Sequence, residues 1–341
     1  MPTAREHGII IGKMPAGPRN LITDVSGVSV GHATIADGAH NTGVTVVLPC
    51  ADNPFVSKLT AAQHVLNGFG KTAGLMQIEE LGVIETPIAL TNTLNVGLVH
   101  DAMVGYMIDR CAAEGVELHS VNPVVCECND ASLNDIRRRA VQKGHVLDAI
   151  ASASSDFAQG AVGAGRGMTC HGLKGGIGSA SRMMEFDGQS YTLGVLVLSN
   201  HGSLADLTVM GNPVGERIQR EIAESLPDKG SCIVVMATDL PVSERQLRRI
   251  VRRAGVGLAR LGSFIGHGSG EVFMGFTTAN RVPANSDNDF ISMKILQEDK
   301  INTAFRAMAE ATEEAVLNSM LMAETVISSN GTIRRSLNEW I

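Results

Sequence analysis

The sequence predicts an α+β fold in which two β-sheets pack face to face and helices cover both outer sides, a four-layer αββα sandwich. Three observations predict it. Short apolar runs of strand length recur along the chain, helical segments alternate with some of them, and several strands follow one another with no helix between. The last feature fits a strictly doubly wound parallel sheet badly. At 341 residues the chain has length for one large layered domain or two ordinary ones. No repeat, low-complexity linker or defensible boundary divides it, so residues 1–341 read as a single domain.

In chain order, Asn20 to His32 reads as short alternating strands with a Gly turn, and Gly43 to Pro49 as a β-branched buried strand. Leu59 to Leu66 has helical spacing. Pro87 to Leu94 and Pro123 to Cys128 are short strands separated by an Ala- and Met-rich helix from about Val99 to Ala113, and Val146 to Phe157 is again helical. Beyond glycine-rich Gly160 to Gly178 come strand-like Thr192 to Ser199 and Leu204 to Val209. Arg217 to Ser225 reads as a polar helix, broken by Pro227-Asp228-Lys229-Gly230. Directly behind lies the apolar strand Cys232 to Ala237, then an amphipathic helix from Ser243 to Leu261, a strand from Val272 to Thr278, and a long helix from Ile301 to Ala323.

Composition narrows the class. Aromatics are only 4% of residues against 44% hydrophobic overall, so the core must be built from Ala, Val, Leu, Ile and Met. A net charge of −7 offers no field for polyanions, which excludes nucleic acid as an expected partner. The basic run Arg245, Arg248, Arg249, Arg252 and Arg253 repeats at helical spacing opposite Leu247, Ile250 and Val251, and reads as a solvated face. Cys50, Cys111, Cys126, Cys128, Cys170 and Cys232 form no paired Cys-x-x-Cys and have no His at zinc-site spacing. Buried free thiols in a reducing cytosol and no metal are the expectation. No signal-peptide core or membrane-length apolar run occurs, so a cytoplasmic chain with no membrane partner is expected.

Two phosphate-site lookalikes fail. Gly70-Lys71-Thr72 ends like a P-loop but has Val65 where the first Gly belongs, and Gly163-Ala-Gly165-Arg-Gly167 has Met168 at the third glycine position. No cofactor is expected.

The informative site is Gly230-Ser231, at the head of an apolar strand. Gly leaves its carbonyl unhindered and tolerates strained backbone, while Ser supplies an attacking oxygen, which is what intramolecular scission requires. Attack on the Gly230 carbonyl gives an ester, and water then frees an α-amine whose ordinary pKa of about 7.7–8.0 suits a general base. One residue then supplies nucleophile and base. Taken alone, the pattern more often describes a turn Ser capping a strand. Gly266-His267-Gly268-Ser269-Gly270-Glu271 adds a hydroxyl and a carboxylate in a tight loop, where Ser269 can relay a proton and Glu271 can orient the ammonium. His267 invites a Ser/His/Asp reading, although a lone His in a Gly loop more often serves structure. Asn200, beside Gly202 at a strand end, has an amide able to donate to an oxyanion, or to form a turn.

Together with Asn20 to His32, Asn67-Gly-Phe-Gly-Lys71, Glu79 to Gly82, Thr91-Asn-Thr93, Cys170-His-Gly-Leu-Lys-Gly-Gly-Ile-Gly178 and Ala237-Thr-Asp239, these ordered motifs resemble the L-aminopeptidase D-esterase/amidase and β-peptidyl aminopeptidase family, related in fold to ornithine acetyltransferases. The resemblance spans about residues 18 to 330. It implies an N-terminal-nucleophile-hydrolase-like fold, self-cleavage into an α chain of 1–230 and a β chain of 231–341, and a likeness of roles: Ser231 as nucleophile, Ser269 and Glu271 assisting, Asn200 in the oxyanion hole. It further implies that Glu127 holds the free amine of a small peptide, amide or ester, without cofactor or metal, in a homo-oligomer of αβ units. Where many relatives carry an aromatic two residues after this Glu, the chain has Asn129, which implies a lost phenol hydrogen bond and a larger substrate pocket. Acyl transfer or endo-type amide cleavage on the same fold, and an unprocessed amine-binding protein, are the rival readings.

Overall fold

The structure, a computed structural model, describes residues 1–222 and 230–341. Strand β1 (Ser29–Ala36) turns at Gly38 into β2 (Asn41–Leu48), with Ser29 opposite Leu48 and Ala36 opposite Asn41. Every residue of β2 up to Val47 is buried, which its β-branched run dictates. Val44 and Val46 point to one side and Val47 to the other, as two-residue periodicity requires. Strands β5 (Ile88–Asn92) and β6 (Val124–Cys128) complete a four-stranded sheet of order β1-β2-β5-β6. Helices α2 (Val96–Ala113) and α3 (Lys143–Ala151) cover its outer face through Val99, Met103 and Val146.

The second sheet has the order β4-β3-β12-β11-β10-β9. It consists of β3 (Ser57–Gly68), β4 (Val83–Ile84), β9 (Gly176–Phe186), β10 (Gln189–Asn200), β11 (Gly230–Thr238) and β12 (Ser269–Pro283). Only β11 and β12 in it pair in parallel, and their crossover carries α5 (Glu244–Val251) and α6 (Ala254–Arg260). Ser243 caps α5 reciprocally with Gln246: the Ser243 hydroxyl accepts from Gln246 N–H at 3.3 Å, and Gln246 Oε1 accepts from Ser243 N–H at 3.1 Å. Helix α7 (Asn302–Leu321) lies across β9 and β10. The approach is close because of Gly178, where an added Cβ would stand 1.9 Å from the Ala315 carbonyl oxygen. Beneath α7, fully buried Arg182 reaches Glu314 at 2.7 Å and Glu310 at 3.4 Å.

Leu196, Leu198, Ile233, Val235, Met274 and Phe276 meet Val47, Ile88 and Leu90 of the smaller sheet, forming the apolar layer between the sheets. Helices, sheet, sheet and helices thus stack as expected. Shorter elements are helices α1 (Leu75–Leu81) and α4 (Val214–Ile222), the hairpin of β7 (Thr169–Cys170) with β8 (Leu173–Lys174), and a hairpin of β13 (Val326–Ile327) with β14 (Ile333–Arg334). Among the described residues, no helix is long and apolar enough to cross a membrane.

Several local expectations are corrected. Leu59 to Leu66 is strand, not helix: Leu59 and Ala61 face the inter-sheet core while Ala62 faces the opposite side, and ladders to β12 and β4 override the local spacing. Leu204 to Val209 is no strand but a single 3-10 turn, Leu204–Asp206, followed by coil. Helix α3 stops at Ala151, because Ser154 leaves to pair with Val30 at the edge of β1. The Ser243 to Leu261 helix divides at Arg252 and Arg253. Nor is the basic run merely solvated: Arg248 reaches Glu244 at 2.6 Å and Glu79 at 2.8 Å, Arg245 and Arg249 bind Glu298, and Arg253 sits 3.7 Å over the Phe305 ring. The expected end of the Arg217 to Ser225 helix and the Pro227-Asp228-Lys229 breaker lie outside the described residues.

Candidate active site

Residue 230 opens β11 at φ 145°, a left-handed conformation suited to glycine. A Cβ there would lie 1.8 Å from the Asn200 carbonyl oxygen. No larger residue fits without moving β10. Ser231 follows, buried, paired with Asn200 of β10 on one flank and with Gly270 of β12 on the other. Gly270 keeps the hydroxyl uncrowded, since a Cβ there would stand 3.0 Å from Ser231 Oγ. Buried Cys128 of the smaller sheet donates its thiol to the Ser231 carbonyl at 3.3 Å and lies 3.6 Å from that of Leu198, locking the two sheets beneath the site. Burial pushes that thiol well above its ordinary pKa, so it stays protonated and able to donate.

Ser269 is the register partner of Gly230, and its hydroxyl donates to the Glu271 carboxylate. Both side chains are fully buried. Strand alternation turns Ser231, like Ile233 and Val272, toward the inter-sheet side, and turns Ser269 and Glu271, like Phe273, toward the other. The hydroxyl–carboxylate pair therefore flanks the 230–231 peptide link, not the Ser231 hydroxyl. Asn67 Nδ2 fixes the loop by donating to the carbonyls of Gly266 at 2.9 Å and Ser269 at 2.5 Å.

The Asn200 amide is held at both ends. Its Oδ1 accepts from Thr169 N–H at 2.8 Å and its Nδ2 donates to the Asn129 carbonyl at 3.0 Å, which fixes the nitrogen toward the cavity with a second N–H that no described residue accepts. Behind Thr169, fully buried Lys174 donates to the carbonyls of Gly165, Met168 and Gly175 at 2.6–2.9 Å and pins the glycine-rich segment. The Asn129 side chain closes its own turn, Oδ1 accepting from Ala131 N–H at 3.0 Å.

Ser231, Asn200, Glu127 and Asn129 border one cavity of about 610 Å³, which is of the size that holds small ligands. Across it, Glu127 accepts from Lys71 N–H at 2.9 Å and from the Thr93 hydroxyl. Both oxygens are oriented by neutral donors, and among the described residues no cation forms an ion pair with it. The nearby Lys71 ammonium instead sits over the Phe69 ring at 4.4 Å.

The peptidase S58 family model matches residues 20–334. The chain belongs to peptidase family S58. It is 39% identical to a β-peptidyl aminopeptidase, BapA, of Sphingosinicella microcystinivorans, a match covering 98% of this chain and 89% of that protein. Among solved structures it resembles the PH0078 protein of Pyrococcus horikoshii OT3 (TM-score 0.93, 46% identity, 98% and 96% of the two chains). It also resembles the L-aminopeptidase D-Ala-esterase/amidase of Ochrobactrum anthropi, described as a variant of the Ntn hydrolase fold (TM-score 0.91, 35% identity, 99% and 96%). An S58 member is a hydrolase of peptide bonds, which agrees with the resemblance drawn from the motifs.

In this S58 chain the six cysteines are free and buried. Among the described residues one group offers metal-ligand atoms, Cys170, His171 and His201 behind Asn200. Cys170 Sγ lies 3.9 Å from His201 Nδ1, and His171 Nδ1 bonds the Ser203 carbonyl at 2.9 Å. Burial, with His171 beside it, pushes His201 down to about 3, so its imidazole is neutral at neutral pH. His267 packs toward Phe69, with ring centroids 6.4 Å apart, and among the described residues no hydrogen bond joins it to Ser231. Sequence reasoning gave no site role to Thr93, Lys71, Thr169 or Cys128, although Thr93 and Lys71 stood in the motifs that carry the resemblance. Lys71 lay inside the failed P-loop match, and its backbone N–H, not its ammonium, serves the site.

Proposed function

We propose that this S58 chain is a self-processing serine aminopeptidase. A single αββα domain is cut between Gly230 and Ser231 into an α chain of 1–230 and a β chain of 231–341, and it then releases N-terminal residues from small peptides, amides or esters. In processing, Ser231 Oγ bonds to the Gly230 carbonyl carbon, the C–N bond breaks, and the nitrogen takes the hydroxyl proton. Water then hydrolyses the ester. In turnover Oγ attacks the substrate carbonyl, the freed α-amine takes its proton, and Asn200 Nδ2 donates to the oxyanion. The protonated amine passes its proton to the departing amine, and water resolves the acyl-enzyme. Ser269 and Glu271 hold the amine, and Glu127 binds the substrate ammonium.

The observation that carries the reading is register: Ser231 lies between Asn200 and Gly270, with the Ser269–Glu271 pair beside the bond to be broken. Denaturing mass spectrometry, with assays on amino-acid p-nitroanilides and their N-acetyl derivatives, tests it. Two fragments split after Gly230, activity only on free amines, and loss of both in Ser231→Ala are expected. An intact chain that remains fully active sinks the reading. We further propose a cytoplasmic homo-oligomer of αβ units. Exposed Phe290, Ile291, Met293 and Ile295 in one irregular segment supply apolar area for assembly, and light scattering gives the mass.

A further inference from the structure

We infer that Lys174 is a positioning residue for the reaction: its ammonium, acting through the Met168–Thr169 peptide unit, orients and polarises the Asn200 amide that faces the oxyanion. The inference deepens the aminopeptidase reading and rests on its assignment of Asn200.

Lys174 stands opposite Thr169 in the hairpin of β7 and β8, whose two turn residues, His171 and Gly172, have φ 47° and 73°. Two left-handed residues are what a two-residue hairpin turn requires, and they hold the register. The Lys174 side chain is fully buried, and Nζ donates to the carbonyls of Gly165 at 2.9 Å, Met168 at 2.8 Å and Gly175 at 2.6 Å. Burial pushes the ammonium's pKa well down, and this tripod opposes the push. An ammonium has an N–H for each of the three carbonyls, whereas a neutral amine would turn its lone pair on one of them. Arg182, also fully buried, is paired with Glu310 and Glu314. Lys174 donates only to carbonyls, so its charge acts on the peptide dipoles around it.

One of those carbonyls leads to the site. The Met168 oxygen also accepts from Gly175 N–H at 3.0 Å, and the other end of the same peptide unit, the Thr169 N–H, donates to Asn200 Oδ1 at 2.8 Å. Asn200 in turn borders the cavity beside Ser231. Two amides therefore stand in series between the ammonium and the oxyanion, each accepting at its oxygen and donating from its nitrogen. A charged donor at the head of such a chain polarises it and strengthens every N–H that follows. By gripping the peptide unit that holds Asn200, the ammonium also fixes the plane of that amide.

The test is a double-mutant cycle in the processed enzyme, with Lys174→Met, Asn200→Ala and the two together, read by steady-state hydrolysis of an amino-acid p-nitroanilide. Removing an oxyanion donor outright costs about 10²- to 10³-fold in kcat, so weakening one through Lys174→Met should cost about tenfold, with KM within about twofold. In the Asn200→Ala background the same substitution should cost nothing further in kcat. A purely structural lysine would lower the thermal midpoint and leave the kcat of the folded enzyme alone. Unaltered kcat in Lys174→Met, or an equal loss in both backgrounds, overturns the inference. If the methionine variant does not fold or cleave itself, NMR of the wild type at neutral pH decides: an ammonium at Lys174 Nζ and a downfield Thr169 amide proton are expected, and a neutral amine or an ordinary amide shift overturns the proposal. If Asn200→Ala alone keeps full kcat, the oxyanion assignment itself falls, an outcome distinct from a missing Lys174 effect.

Discussion

Glu127→Gln separates the charge of the amine pocket from its shape. The wild-type carboxylate accepts from the Lys71 N–H at 2.9 Å and from the Thr93 hydroxyl. A glutamine Oε1 can keep the first bond, and its amide group can face Thr93, which can reverse to accept. The perturbation is therefore mainly the loss of one negative charge. Two unit charges about 4 Å apart at an effective dielectric of about 20 interact by about 4 kcal/mol. The cavity is open to water, which reduces this to about 2–3 kcal/mol, or about 30- to 140-fold in kcat/KM at about 1.4 kcal/mol per decade. The assay is steady-state hydrolysis of an amino-acid p-nitroanilide and its N-acetyl derivative, after mass spectrometry shows normal processing. The free-amine substrate should lose activity while the acetylated one is unchanged or gains. Unaltered kcat/KM on the free amine in a processed Glu127→Gln enzyme would refute the assignment of the ammonium to this carboxylate.

Three further outcomes follow from the geometry. Gly230→Ala places a methyl 1.8 Å from the Asn200 carbonyl oxygen, so the variant should remain a single unprocessed and inactive chain on denaturing gels. Arg182→Ala removes the buried cation beneath α7, leaving Glu310 with two backbone N–H donors and Glu314 with Arg5 and Asn20, and should cost about 3 kcal/mol in urea denaturation, whereas Arg182→Met with both glutamates neutralised should recover much of it. Burial raises the Asp130 carboxyl to about 6 from 3.8. The folded state binds this proton more tightly, so its contribution is complete below about pH 4 and is lost as pH rises to about 6, by about 3 kcal/mol at most. Stability of Asp130→Asn measured at pH 4.5 and 7 should lack that component.

How much of this was legible in the sequence depended on how local each signal is. Gly230-Ser231 could be found because steric freedom, hydroxyl and the apolar strand behind them are contiguous. Ser269 and Glu271 could be found because they stand two residues apart in a glycine-rich stretch, but the expected tight loop is the head of β12, and strand alternation is what turns both to one side. Thr93, Thr169 and Cys128 carry no such signature: each becomes part of the site only because β5, β7 and β6 bring it against a partner far along the chain. Strand β3 was misread for a related reason. Its Leu59, Ala62, Val65 and Leu66 mimic a helical stripe, and only the ladders to β4 and β12 make it extended.

The order of strands has a consequence for how the enzyme can be made and lost. If the backbone opens before Ser231, the α chain keeps β9 and β10 while the β chain holds β11, β12 and the helix that roofs β9 and β10. The two polypeptides remain woven through one sheet and cannot drift apart without dismantling it. Maturation must then come after folding. A denatured mature molecule faces a two-body search to rebuild what its precursor assembled as one body, so its lifetime should be set by the rate of its first unfolding.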